Sequence, residues 1–178
     1  MEDQVIDLIK LCEFNASDKW TLIYRGSRDG FGAHHFHSKC DNKSPTLTII
    51  KAQDSSFIFG SYTKAEWDSS GRFRVDPYAF LFSLTNKEDK PCIMNVIHPT
   101  RAIYCSPNSG PIFGDGTYYF TSDDLHIADN ANTNATSSSR LGNSYKCPEY
   151  EFSSIGAEYL LAGSKFFRLN EIEVYIKN

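Results

Sequence analysis

The sequence has no apolar stretch near the ~20 residues that cross a bilayer, so no membrane insertion is expected. It opens Met1-Glu2-Asp3-Gln4, without the basic start of a secretory or transit peptide, and a cytoplasmic location is the expectation. Cationic charge is scarce: 18 Lys and Arg stand against 22 Asp and Glu, a net charge of -4. That balance argues against nucleic acid as a partner, because phosphate binding draws on a basic face. The five cysteines include no CxxC pair and their number is odd, which fits reduced thiols better than a disulfide framework or a structural zinc site. The triplets beginning at Asn15, Asn42 and Asn134 match the glycosylation pattern, but nothing here delivers the chain to a glycosylating compartment. There is no GxSxG elbow, no GxGxxG and no GxxxxGK[ST], and Asp123, Asp124 and Asp129 do not have EF-hand spacing. Serine hydrolysis, nucleotide binding and EF-hand calcium binding therefore lack sequence support. No cofactor is expected.

What is present is a globular composition. Of 178 residues, 40% are apolar and 14% aromatic, enough to bury one core without covalent staples. Residues 2–13 place Val5, Ile6, Leu8, Ile9 and Cys12 at mixed spacings of three and four, which predicts a short amphipathic helix. Such a helix docks on a body and is marginal alone. The chain is accordingly divided into this helix over residues 1–14 and one domain over residues 15–178. Residues 20–25 read as a strand stopped by residues 26–30, and residues 31–40 as a helix. Residues 46–51 and 57–62 suit a hairpin, and residues 79–85 form a nearly continuous apolar run typical of a strand buried on both faces.

Short strands follow over residues 92–97, 102–105, 117–121 and 125–128, with a last one over residues 171–177. That last strand alternates Ile172, Val174 and Ile176 against Glu171, Glu173 and Lys177, which predicts one wet face. Residues 128–139 are almost all Ala, Asn, Thr and Ser and read as a mobile surface loop. Many short strands without a βαβ rhythm indicate an α+β fold: a two-sheet antiparallel β-sandwich core with a few short peripheral helices.

Three groups of residues invite chemistry. If residues 31–40 are helical, His34, His37 and Asp41 fall three and four apart on one face, a spacing at which imidazole and carboxylate converge on a first-row metal. The plainer reading is one packed ring and solvated neighbours, since no second ligand cluster completes the set. Cys40 beside His37 is the thiol best placed for redox chemistry, although no local context marks an activated thiolate. Glu171 and Glu173 lie two apart on a strand and share a face. They are read as solvated on an edge strand, or facing a partner, rather than as an acid/base pair.

One set of segments runs in order along the chain: Trp20-Thr21-Leu22-Ile23-Tyr24-Arg25-Gly26-Ser27-Arg28-Asp29-Gly30-Phe31, Phe36-His37-Ser38-Lys39-Cys40-Asp41 and Pro45-Thr46-Leu47-Thr48-Ile49-Ile50-Lys51. It continues through Phe59-Gly60-Ser61-Tyr62-Thr63 with Trp67, Ala79-Phe80-Leu81-Phe82-Ser83-Leu84, Gly110-Pro111-Ile112-Phe113-Gly114, Leu161-Ala162-Gly163-Ser164 and Glu171-Ile172-Glu173-Val174-Tyr175. By that ordered set, rather than by any one piece, the chain resembles the TLDc family. The resemblance implies a β-sandwich, a role in resistance to oxidative stress, and binding to a subunit of the vacuolar proton pump. It brings no established catalytic mechanism, so a protein-interaction module is expected before an enzyme. The alternatives are a thiol-based oxidant scavenger or sensor, and a stress-responsive DNA-binding regulator. Positions matching the pattern that are expected to contact a partner are Arg28, Asp29, Gly163, Glu171 and Glu173. For Arg28 and Asp29, the competing reading is a turn held by its own side chains.

Overall fold

The structure is a computed structural model that describes Leu8 and residues 10–115, 123–152 and 154–178. Within them lie two antiparallel six-stranded sheets. The first is built from β1 (Trp20–Arg25), β2 (Thr46–Ala52), β3 (Ile58–Thr63), β5 (Phe80–Ser83), β6 (Cys92–Asn95) and β12 (Leu169–Lys177). Its strand order is β1-β12-β2-β3-β5-β6. The second holds β4 (Phe73–Arg74), β7 (Ile103–Tyr104), β8 (Ile112–Phe113), β9 (Leu125–His126), β10 (Ser137–Ser139) and β11 (Phe166–Phe167), in the order β11-β10-β9-β8-β7-β4. Short helices α1 (Gly26–Asp29), α2 (Ala33–Cys40) and α3 (Ile155–Tyr159) sit around the sheets. The α+β sandwich is as the sequence predicts.

Period-two alternation sorts the first sheet into two apolar faces. Ile50, Ala52, Phe59, Leu81, Met94, Ile172 and Val174 join Ile103, Phe113, Leu125 and Phe167 of the second sheet in the main core. Trp67 is fully buried there, 5.4 Å from the ring of Phe36 and 5.6 Å from that of Phe113, with its indole N–H donating to Thr46 Oγ1 at 3.1 Å. The alternate residues Leu47, Ile58, Tyr62, Phe82 and Leu84 form a second cluster on the outer face, covered by Leu8, Leu11, Cys12 and Phe14. The Phe14 ring lies 5.0 Å from Trp20 and 5.5 Å from Tyr62. Two apolar faces explain why residues 79–85 read as a strand buried on both sides. Leu8, Lys10 and Leu11 are helical, and Cys12 and Glu13 form a turn where the helix was expected to run on; the remaining residues of the predicted N-terminal helix, and the predicted strand over residues 117–121, lie outside the described residues.

Two expectations are corrected. The last strand, β12, is not an edge: it pairs with β1 on one side and β2 on the other, so its alternating carboxylates have neighbouring strands on both sides. Residues 128–139 are not simply a surface loop. Ser137, Ser138 and Ser139 form the buried strand β10 between β9 and β11. The turn before it is anchored too, because Asp129 Oδ1 accepts from the Ala33 amide at the start of α2 at 2.7 Å. A side-chain oxygen there satisfies one of the open amides of a helix N-terminus.

Candidate partner-binding site

Four of the five predicted partner contacts meet at one corner, where β1 runs into α1 beside β12. Glu171 reaches the start of α1, accepting from the Ser27 amide at 3.0 Å and from Ser27 Oγ at 2.5 Å. Asp29 closes the same turn: its Oδ2 accepts from the Arg25 amide at 2.9 Å, and Arg28 donates to both of its oxygens at 3.0 and 2.7 Å. The Arg28 guanidinium holds the Asp29 carboxyl well below the ordinary carboxylate range, at about 2. The turn is thus held by its own side chains, as the competing reading has it, with the Arg28 side chain half exposed at its rim.

Glu173 sits directly across from Arg25 in the β1–β12 ladder. Its Oε1 accepts from Arg25 Nε at 2.8 Å and pairs with Nη2 at 2.7 Å, while Oε2 accepts from Tyr175 Oη at 2.7 Å. Its side chain is 5% exposed against 35% for Arg25. A carboxylate so far out of water needs those donors, since unpaired burial of charge is costly. The wet-face reading of Glu173 is therefore corrected: the group a partner could meet here is the arginine. Gly163 lies elsewhere. Its φ of +78° suits glycine, and a Cβ there would come 3.2 Å from Ser55 Cβ and 3.3 Å from Phe57 Cε2. It serves the backbone path after α3, where its amide donates to Tyr159 O at 2.9 Å.

The histidine and cysteine candidates separate. His37 is buried, with Nδ1 on Asp41 Oδ1 at 2.8 Å and Nε2 on the carbonyl oxygens of Ser106 and Ser109 at 2.8 and 3.0 Å. Both ring nitrogens are committed, so His37 offers neither a lone pair to a metal nor a base to Cys40. His34 is exposed, its ring 3.7 Å from that of His35 and tilted 42° to it, while His35 Nδ1 accepts from the Gly32 amide at 3.3 Å. The structure thus joins His37 to Asp41, as the spacing predicts, but not His34 to either. Among the described residues no group of three or more His, Cys, Asp or Glu side chains converges on a cation position. Cys40 is fully buried, and burial pushes its thiol up, the reverse of what an attacking thiolate requires.

Sequence reasoning missed the buried acids that shape the loops. Asp124 is fully buried and accepts from the amides of Gly142, Asn143, Ser144 and Tyr145 at 2.9, 3.1, 2.7 and 3.2 Å. Burial raises its carboxyl and those four amides oppose the rise. The buried Asp123 beside it has Oδ1 without a hydrogen-bond partner among the described residues, and burial, then the charge of Asp124, pushes it up to about 7. Asp76, also buried, gathers Thr63 Oγ1 at 2.7 Å and the amides of Lys64 and Tyr78 at 2.5 and 2.9 Å. The adjacent pair Asp123-Asp124, followed at once by Leu125 and Ile127, is the one sequence signal that pointed to any of these.

The described residues thus form an α+β sandwich whose polar corner is tied together internally. Comparison with protein families matches the TLDc domain over residues 1–177. The chain belongs to the TLDc domain family, and that membership supports a function related to oxidative stress. Comparison with curated proteins finds no match. No helix among the described residues is long and apolar enough to cross a membrane.

Proposed function

We propose that this chain is a non-catalytic protein-interaction module of the oxidative-stress response, acting in the cytoplasm by binding and regulating the vacuolar proton-pumping ATPase. The observation that carries the reading is the family match over essentially the whole chain. One feature supports it: His37 and Cys40, singled out in the sequence as reactive, are buried and spent inside the fold. The burial of Cys40 weighs against the thiol-scavenging alternative, and the net charge of -4 weighs against DNA.

The test is direct binding of the purified protein to the purified pump, by biolayer interferometry with ATP, with ADP and without nucleotide. Saturable binding in at least one state, accompanied by a change in ATP hydrolysis by the pump, is the expected result. Absence of binding in all three states overturns the pump assignment.

A further inference from the structure

We propose that Leu8 and residues 10–14 form a displaceable strap over an apolar groove on the outer face of the first sheet, and that the groove takes an amphipathic helix of a partner protein. The proposal rests on the protein-interaction reading above and assigns it a surface. The groove is one continuous cluster: Leu47, Ile58, Tyr62, Phe82 and Leu84 pack together beneath Leu8 and Cys12, and all seven are buried. Phe14 closes one end, its ring 5.0 Å from Trp20, 5.5 Å from Tyr62 and 6.1 Å from Phe80.

Floor and strap are held in different ways. Strands β2, β3 and β5 each pair with a neighbour on both sides, so ladder hydrogen bonds fix the floor. The strap bonds only within itself. Its Cys12 amide donates to Leu8 O at 2.9 Å and its Glu13 amide to Lys10 O at 3.3 Å. Among the described residues no hydrogen bond or ion pair joins it to the sheet, and its contacts are side-chain packing. A helix of the length the sequence allows before the turn at Cys12 is marginal alone, so that packing is what keeps it in place. Such a unit opens at a lower free energy than the sheet beneath it. Opening bares a contiguous apolar face of the kind that marks a contact with another protein. The strap also shows what the groove accepts. Leu8, Leu11 and Cys12 present apolar groups at i, i+3 and i+4, Phe14 follows at i+6, and Lys10 is exposed. That is the pattern with which an amphipathic helix lies in a groove. Continuity with the candidate site favours a partner protein over the strap of a second copy. Tyr175 packs against the groove cluster and donates to Glu173, the carboxylate paired with Arg25, so the groove borders the corner where Arg25 and Arg28 meet solvent.

The test uses the full chain and, as probe, a synthetic peptide of residues 1–16 with fluorescein at its C-terminus, read by fluorescence anisotropy under reducing conditions. A strap that competes for the groove lowers the apparent affinity of the probe by the fraction of chains that are open, so F14A, with a weakened strap, should bind the probe at least about tenfold tighter than wild type. A probe carrying the Phe14→Ala change should lose that binding. Hydrogen exchange of wild type should show the Cys12 amide exchanging at least about tenfold faster than the ladder amides of β2 and β3. F14A that binds the probe no tighter than wild type, or a probe indifferent to its own Phe14→Ala change, overturns the proposal. Where F14A does not fold, exchange in wild type decides, and a strap that exchanges only together with the sheet overturns it. Wild type that sediments as a dimer dissolved by the probe assigns the groove to a second copy and overturns the partner assignment. Pump binding equal in wild type and F14A removes the groove and leaves the proposed function standing. Probe binding as expected, with no pump binding by either protein, removes the pump and leaves the groove.

Discussion

Replacing Glu173 by alanine separates a structural carboxylate from one kept for a partner. The side chain accepts from Arg25 Nε and Tyr175 Oη and pairs with Arg25 Nη2, all between 2.7 and 2.8 Å, at 5% exposure. Hydrogen bonds to a charged group are worth roughly 1.5–3 kcal/mol each, and breaking a fully buried pair costs about 3–5 kcal/mol. Here the surviving Arg25 is 35% exposed and can turn to water, so the loss falls below that range. We expect E173A to destabilise the protein by about 2–3 kcal/mol in urea unfolding, a fall in Tm of roughly 5–10 °C for a domain this size. E173Q, which keeps the shape and one set of acceptors, should fall between E173A and wild type. The cycle with R25A should return a coupling of about 1–2 kcal/mol. A loss under about 0.5 kcal/mol, or a coupling of zero, would refute the reasoning and leave Glu173 free to act as a recognition group.

Three further outcomes follow from the same structure. A carboxyl raised to about 7 in the fold favours the folded state below its unfolded pKa of about 3.9, and that contribution is lost as pH rises through 7; for Asp123 it amounts to at most about 4 kcal/mol. The stability of D123N relative to wild type should therefore improve steadily from pH 4.5 to 7.5 in denaturant titrations, and a pH-independent difference would refute the assignment. G163A should cost about 1–2 kcal/mol, because alanine is strained at φ +78° and its Cβ presses on Ser55; unfolding midpoints of variant and wild type within error of each other would contradict this. Cys40 should resist iodoacetamide in the native state and react only under unfolding conditions, whereas the half-buried Cys92 reacts first; site-resolved mass spectrometry that finds Cys40 modified early would revive the thiol chemistry.

The strands with a strong local signal were legible. The strand of residues 20–25, the hairpin of β2 and β3 and the helix ending at Cys40 are where the pattern put them, because each is long enough for its period to register. The two-residue strands β4, β8 and β11 are too short to alternate visibly. Strand β10 is three serines and carries no apolar signal at all. It is buried nonetheless because its hydroxyls find partners: Ser137 Oγ accepts from the Ala128 amide at 3.1 Å, and Ser139 Oγ donates to Glu158 O at 2.9 Å. With β12 the alternation correctly put Ile172 and Val174 in the core, but it missed the place of the strand in the sheet, and Ile176 stays partly exposed. A buried carboxylate reads as a wet one when the cation that neutralises it, here Arg25, stands 148 positions away.

The same physics explains why the candidate site was only half legible. Sequence draws attention to charged and nucleophilic side chains, yet these are the groups a fold must satisfy before it can bury anything near them. Arg28, Asp29, Glu171, Glu173 and His37 are each engaged inside the chain, so their chemistry is largely used up in holding the corner and the helix. Val75 and Tyr78 drew no notice, because an apolar residue is assigned to the core by default and only the tertiary structure shows that it is outside. The available hint was local: Asp76-Pro77 is a turn pair, and a turn pair flanked by Val75 and Tyr78 gives those residues no strand or helix through which to reach the core.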